Sequence, residues 1–218
     1  MGKVVSIVMI LAPYGIFALI AVSVGKYGSK IFGTLAKYIG SVYLGILAMC
    51  CLYALLVFLF TGIGPQEFYR KASRIMVTAF STCSSTSSIP INMACAESLG
   101  TPKKVYSFTI PLGAQINKDG TCVCLTTVFI MTAQAIGVPV DLGLMIKVLI
   151  LGLILTTGSG MLVILAILLE SLGFPLEIVG LVAGVHAFND MGMTMINCLG
   201  DLAGTVIVGN AEKKRMIP

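Results

Sequence analysis

Apolar residues run along the chain in long segments, and what separates those segments is where polar side chains interrupt them. Residues 4–25 are apolar over a length that suits one bilayer-spanning helix of about 20 residues. Lys26 and Lys30 end that run, and a short polar connection leads to a second span expected over 38–62. Gly64-Pro65 then breaks the pattern. From residue 75 the apolar pieces are too short to cross a membrane: 75–83, then Ser84-Ser85-Thr86-Ser87-Ser88-Ile89-Pro90, then a short arm to Gly100. The hydroxyl run predicts a hairpin tip, with Ser capping a helix start and Pro in its first turn. An interfacial helix–loop–helix is the alternative.

Residues 105–137 form another apolar stretch, broken by Gln115-Ile-Asn117-Lys118-Asp119-Gly120-Thr121. Asn, Lys, Asp and Gly at mid-depth are tolerable only where unwound backbone lines a cavity. A second pair of short arms, 143–155 and 161–172, flanks Thr156-Thr157-Gly158-Ser159-Gly160, and Gly lets the chain reverse at low steric cost. Residues 177–209 make a final helix. At about 100° per residue, its Asp190, Thr194, Asn197 and Asp201 fall within roughly a 60° arc. A carboxylate near the bilayer centre costs at least a few kcal/mol unless it faces a partner, water or an ion. Two interrupted segments, each followed by a helix with polar residues at mid-depth, point to an inverted-repeat secondary transporter. The repeat rests on hydropathy, because the halves show no clear sequence identity.

Composition narrows the class. Hydrophobic residues make up 57% of the 218, charged residues 11%, and the mean hydropathy is +1.02. A soluble domain carries about 25% charged residues, so an all-α integral membrane protein is expected. The net charge of +5 is no nucleic-acid footprint, because its basic residues cluster at membrane edges. Arg70-Lys71-Ala-Ser-Arg74, Lys103-Lys104 and Lys213-Lys214-Arg215 are expected on the cytoplasmic side. Lys26, Lys30 and Lys37 fall on the opposite face, which weakens the rule here. The seven cysteines sit mostly in apolar runs without a Cys-x-x-Cys pair and read as packing residues. No nucleotide-binding glycine loop or zinc-helix motif occurs. A hydrolase built from Ser159 or Ser84–Ser88 with His186 lacks the Gly-x-Ser-x-Gly context, so no enzyme and no enzymatic cofactor is expected.

Four motifs in order resemble one family. Ser84-Ser85-Thr86 with Ile89-Pro90, Tyr106-Ser-Phe-Thr-Ile-Pro-Leu-Gly113-Ala, Asn117-x-Asp119-Gly120-Thr121, and Asp190-Met-Gly-x-Thr194-Met-x-Asn197-x-x-Gly200-Asp201 are similar to the dicarboxylate/amino acid:cation symporters, the glutamate/aspartate transporter homologues. Pro13-Tyr-Gly15-Ile-Phe is similar to the family's fifth helix. The resemblance implies a fold of eight transmembrane helices and two re-entrant hairpins, assembled as a homotrimer in the cell inner (plasma) membrane. This chain resembles its C-terminal half, with the first four helices absent. Residues 1–64 resemble helices five and six. Residues 65–218 resemble the transport core: first hairpin, discontinuous helix seven, second hairpin and helix eight. A gene fragment or one part of a split protein is the expectation.

By that resemblance, Ser84 and Ser85 hold the α-carboxylate of an amino acid and Asp190 receives its amino group. Thr121, Met193, Thr194 and Asn197 line the same pocket. Gly113, Asn117, Asn197 and Asp201 correspond to one sodium site, and Asp119 to another; Na+, or H+, is the coupling ion. This chain departs from the family at four places. Met193 stands where the family has an arginine that pairs with an acidic side chain, and Cys83 where the hairpin often has one, so a neutral amino acid is expected. Lys118 replaces a methionine and Gln115 a threonine near the second sodium site. Lys118 either supplies a tethered ammonium in place of one ion, or pairs with Asp119 or Asp201, or marks a site that no longer binds. The second hairpin's Gly-x-Pro-Gly tip is shortened to Thr156–Gly160, which alters gating. His186, one turn before Asp190, either couples protons or packs against a neighbouring helix. A cation-coupled amino-acid transporter is the first expectation, and a non-transporting fragment or subunit the second.

Overall fold

The structure is a computed structural model. It describes residues 30–155 and 160–216, with Tyr14, Phe17, Ala18, Ala21 and Gly25 as single helical positions. The expected span over 4–25 otherwise lies outside the described residues, as do residues 156–159 of the second hairpin's tip. Among the described residues every regular element is an α-helix. In order these are α1 (Lys30–Thr61), α2 (Pro65–Thr82), α3 (Ser85–Ser98), α4 (Lys103–Ile116), α5 (Asp119–Ala135), α6 (Leu142–Leu155), α7 (Met161–Ser171) and α8 (Glu177–Met216).

Helix α1 begins well before residue 38, the expected start. Lys30 and Lys37 do not stop a helix, since Lys is a good helix former and Lys37 keeps its head exposed. Leu44, Leu47, Leu55 and Leu59 leave α1 more than half exposed, the surface a helix offers to lipid rather than to water. Two described stretches are long and apolar enough to cross a membrane, Gly33–Thr61 and Ile178–Arg215.

Helices α2 and α3 pack against each other across Cys83 and Ser84. Cys83 ends α2 in the left-handed region (φ 50°), and its N–H closes the last turn on the Ala79 carbonyl. Ser84 is extended and caps α3, its Oγ accepting from the Ser87 N–H at 3.2 Å. The tip is therefore these two residues, and the hydroxyl run expected there is helix. Ser88 Oγ returns a bond to the Ser84 carbonyl at 2.8 Å, so the run satisfies itself while helical. Pro90 sits in the second turn of α3, not the first, and removes one intrahelical donor there. A Ser84→Ala protein is expected to lose about 1 kcal/mol, the usual worth of a serine cap. A thermal melt in detergent that matches wild type would contradict that cap's role.

The chain divides into two compact units. One comprises Met1–Ser41 with Leu125–Asn189. Its packed side chains include Leu125, Phe129, Ile164, Leu165 and Leu168, with Phe129 and Phe174 rings 6.0 Å apart. The other comprises Val42–Cys124 with Asp190–Pro218, and it holds α2, α3 and α4 together with the C-terminal stretch of α8. There Phe68, Ala72, Ile75 and Ala79 of α2 are fully buried, as are Ile196, Leu199 and Leu202 of α8. Polar bonds tie the second unit's elements where apolar burial between helices in lipid gives little drive. Tyr69 donates to the Cys50 carbonyl at 2.6 Å, Asn92 Nδ2 to the Cys198 carbonyl at 3.0 Å, and Asn210 Nδ2 to the Phe60 carbonyl at 2.8 Å. Thr109 and Thr205 hydroxyls lie 2.8 Å apart. On the exposed surface Lys71 bonds Glu67 at 2.8 Å and holds its carboxyl below the usual range, and Lys104 bonds Glu212 at 2.8 Å.

Candidate functional site

The break in the 105–137 stretch is where the site is built. Helix α4 stops at Ile116 because Asn117 turns extended (φ −76°, ψ 123°), its N–H closing the last turn on the Gly113 carbonyl at 2.7 Å. Two residues later α5 starts at Asp119, a carboxylate in a first helical turn, where the helix dipole favours negative charge. Helices that break in a dry interior must re-satisfy the backbone groups they free. Here the partners come from α8.

Asn117 is the hinge of that arrangement. Its Nδ2 donates to the Asn197 carbonyl and to Asp201 Oδ1, both at 3.0 Å, while its Oδ1 accepts from the Asp119 N–H at 3.3 Å. Asn197 answers from α8: its Oδ1 accepts from the Gly120 N–H at 2.7 Å. Both Asn197 and Asp201 are buried, at 5% and 7% exposure, so these bonds stand where water competes little. Two glycines make the approach close. A Cβ at Gly113 would lie 2.8 Å from Asp201 Cγ, and one at Gly120 would lie 2.6 Å from the Met193 Cα. Any side chain at either position would push α8 away from the break.

The five residues expected to form cation sites are therefore brought together. Gly113, Asn117, Asn197 and Asp201 are joined by hydrogen bonds, with Asp119 beside them. All their polar atoms on the cluster's acceptor side are oxygen: two carboxylates, two amide oxygens and main-chain carbonyls. A carbonyl or carboxylate oxygen that accepts one hydrogen bond keeps another lone pair, and an oxygen-only set with carboxylates is what a hard cation takes. Among the described residues no group of three His, Cys, Asp or Glu side chains is placed for a softer metal.

The residues expected around a solute lie one to two turns earlier on α8, at Thr121 in the first turn of α5, and at the α2–α3 tip. Thr194 Oγ1 donates to Asp190 Oδ1 at 3.5 Å, a long bond along the stripe. Thr194 and Thr121 are buried, at 5% and 8% exposure, and Met193 at 2%. Ser85 lies beside the Cys198 thiol, which brings the start of α3 to α8. Cys83 lies within electrostatic range of Asp190. Ser84 Oγ is engaged within its own tip, 2.9 Å from Ser87 Oγ. Lys118 is half-buried and makes none of the ion pairs within 4.0 Å among the described residues, though its charge acts on Asp201. A direct pair with Asp119 or Asp201 is thus not formed. His186 and Asn189 belong to the other unit.

Two polar residues at this cluster were not anticipated. Asn92, buried at 2%, holds α3 to α8 through the Cys198 carbonyl. Tyr53 of α1 donates its phenolic proton to Asp119 Oδ2. A hydroxyl inside an otherwise apolar span was the available signal, since a buried tyrosine hydroxyl needs a partner.

Comparison with known proteins gives a consistent result. The profile of the sodium:dicarboxylate symporter family matches residues 1–211. A proton/glutamate-aspartate symporter of Bacillus subtilis (strain 168) is 34% identical over 218 residues, which cover 98% of this chain and 53% of that protein. A proton/sodium-glutamate symport protein of the same organism is 32% identical over 219 residues, covering 97% and 51%. Excitatory amino acid transporter 3 of Mus musculus is 31% identical over 222 residues, covering 98% and 42%. The chain spans about half the length of the curated relatives it matches.

Proposed function

The chain belongs to the sodium:dicarboxylate symporter family, a family of membrane transporters and not of enzymes, and from that premise we propose that it carries the solute and cation sites of a cation-coupled transporter of neutral amino acids. The observation that supports this most is the cross-link of Asn117 to Asn197 and Asp201. It gathers the buried Asn197 and Asp201 with the half-buried Asn117 and Asp119 at a helix break, a costly arrangement unless it binds something.

In this reading Gly113, Asn117, Asn197 and Asp201 hold one sodium ion through oxygen, and Asp119 belongs to a second site. The ion supplies positive charge that lets buried carboxylates stay ionised, and the chain's own residues set the rest. Ser85 presents its hydroxyl and the start of α3 its backbone donors to the substrate carboxylate, and Ser84 joins them when its hydroxyl turns from Ser87 to the ligand. Asp190, steadied by Thr194, faces its ammonium, and Thr121 and Asn197 line the space between. Met193 offers a thioether where an acidic side chain needs a cation, so a second carboxylate would be buried unpaired. That favours neutral over acidic amino acids, although the relatives named above are glutamate or aspartate symporters.

The α2–α3 and α6–α7 pairs act as re-entrant hairpins in this reading, residues 65–218 form the moving core, and 1–64 belong to a scaffold. A homotrimer in the plasma membrane, with several passes per protomer, is the assembly it implies. Lys118, which stands beside the cluster without an ion partner among the described residues, takes the part of one cation. Proteoliposome uptake of a labelled neutral amino acid tests this. Uptake should persist in part when sodium is replaced by choline, and Lys118→Met should make it fully sodium-dependent. Full sodium dependence of the wild type would discard the tethered ammonium.

A further inference from the structure

One end of the second unit carries a surplus of positive charge that the transporter reading leaves unused. Helices α2 and α3 pack side by side, so the start of α2 and the end of α3 lie at that end. Asn210 reaches the Phe60 carbonyl and Lys104 reaches Glu212, which brings the end of α1, the start of α4 and the end of α8 there too. The segments Arg70–Arg74, Lys103–Lys104 and Lys213–Arg215 bring eight basic side chains to it, against three acids, Glu67, Glu97 and Glu212. All three acids are engaged: Glu67 by Lys71 and Glu212 by Lys104, each at 2.8 Å, and Glu97 by the Tyr106 hydroxyl. Arg70, Arg74, Lys103, Lys213, Lys214 and Arg215 are exposed, and none of them makes an ion pair within 4.0 Å among the described residues.

Two placements work against the protein's own stability. Lys103 and Lys104 open α4, whose first turn holds no acid, although the helix dipole disfavours cations at a helix start. The Lys213 ammonium comes from α8 to the Gly100 turn just ahead of them, 3.4 Å from where a Cβ would stand on that left-handed residue (φ 77°). Pro102 Cδ lies 3.2 Å from where a Cβ on Gly209 would stand, which holds the turn to α8. Arg215 adds its charge beside Glu212. Cations of two helices therefore converge where the local field is already positive, and they repel one another until an anion arrives from outside. A sequence that breaks a local rule in this way does so where something binds. The neighbouring surface shows what kind of anion: Leu55, Leu59 and Phe60, near the end of α1, are about half exposed or more, the face a helix turns to lipid. Clusters of four to eight Lys or Arg beside a spanning helix attract anionic headgroups.

We propose that this end of the second unit docks the phosphate headgroups of anionic phospholipids, with Lys103, Lys213 and Arg215 as the principal contacts. Lys103 and Lys213 meet at the Gly100 turn, and the guanidinium of Arg215 suits a phosphate's paired oxygens. The surface is separate from the solute and cation residues, so the proposal stands apart from the transporter reading.

Thermal unfolding of the full chain in a neutral detergent tests it, with phosphatidylglycerol or phosphatidylcholine added to the micelles. Phosphatidylglycerol should stabilise the wild type and phosphatidylcholine should not. Lys103→Gln, Lys213→Gln and Arg215→Gln combined should raise the phosphatidylglycerol concentration for half-maximal stabilisation about 100-fold. Lys147→Gln, which removes an exposed cation of the other unit, should keep the wild-type midpoint. Added salt should weaken the wild-type response, because exposed charges are screened, and inorganic phosphate should not reproduce it. Equal stabilisation by the two lipids, a triple-variant midpoint equal to wild type, an equal rise in Lys147→Gln, or indifference to salt overturns the proposal. Stabilisation by inorganic phosphate that matches the lipid's overturns it in favour of a free-anion site. Should the triple variant melt too early to titrate, the salt and phosphate arms decide on the wild type. The response to sodium and neutral amino acids, read on the same preparations, should be the same in the triple variant, so a failure here and a failure of the transporter reading are told apart.

Discussion

An Asp190→Asn protein is expected to lose the thermal stabilisation that the proposed function predicts neutral amino acids to confer on the wild type. The side chains are nearly isosteric, and the amide can still accept the weak 3.5 Å bond from Thr194, so folding should change little. What disappears is the counter-charge. An ammonium brought to mid-depth without one is an uncompensated buried charge, which costs about 3–5 kcal/mol, or roughly two to four orders of magnitude in affinity. At ligand concentrations that stabilise the wild type, the shift should then fall to nothing, because stabilisation scales with the logarithm of one plus the ratio of ligand concentration to Kd. An unchanged shift in Asp190→Asn would remove Asp190 as the amino-group partner.

The second large effect is expected at Met193. This side chain is buried at 2% exposure, and its backbone lies against Gly120. Met193→Arg puts a guanidinium three residues after Asp190, on the same helical face. Without ligand the two should pair imperfectly and the protein should melt at lower temperature. With an acidic amino acid the guanidinium gains a bidentate carboxylate partner. Aspartate or glutamate should therefore stabilise the variant where they leave the wild type unaffected, and the preference between neutral and acidic ligands should reverse by about 100-fold or more. If Met193→Arg and the wild type respond to the same ligands in the same order, the side chain at 193 does not set specificity.

The break and the stripe were both legible in the chain because each is a violation of its surroundings. Asn117-Lys118-Asp119 interrupts a run that lipid would otherwise accept, and α4 and α5 stop and start on either side of it. Asp190, Thr194, Asn197 and Asp201 repeat at helical spacing, and α8 runs through all four. The hydroxyl run after Cys83 is helix and not turn for a physical reason. Serine and threonine favour turns when their hydroxyls compete with helix bonds, yet Ser88 turns its hydroxyl back on its own helix and joins it. The tip is accordingly shorter, and Pro90 lies deeper in α3, than residue preferences alone suggest.

The Tyr53 contact is not legible in the chain, for another reason. Its partner Asp119 is 66 residues away, and no local periodicity relates a phenol in one helix to a carboxylate at the start of another. The same holds for Asn92 and Cys198, 106 residues apart. Sequence patterns reveal which side chains cannot face lipid; which of them meet is decided by packing, through contacts such as those at Gly113 and Gly120 that let α8 close on the break.

Thermal unfolding of the purified wild type in sodium chloride, with neutral amino acids compared against aspartate, tests the central claim most directly. The sheltered acids and amides around Asn117 and Asp190 predict stabilisation by at least one neutral amino acid, strengthened by sodium, and none by aspartate. No shift with any neutral amino acid, in sodium or choline, would contradict a living solute-and-cation site in this chain.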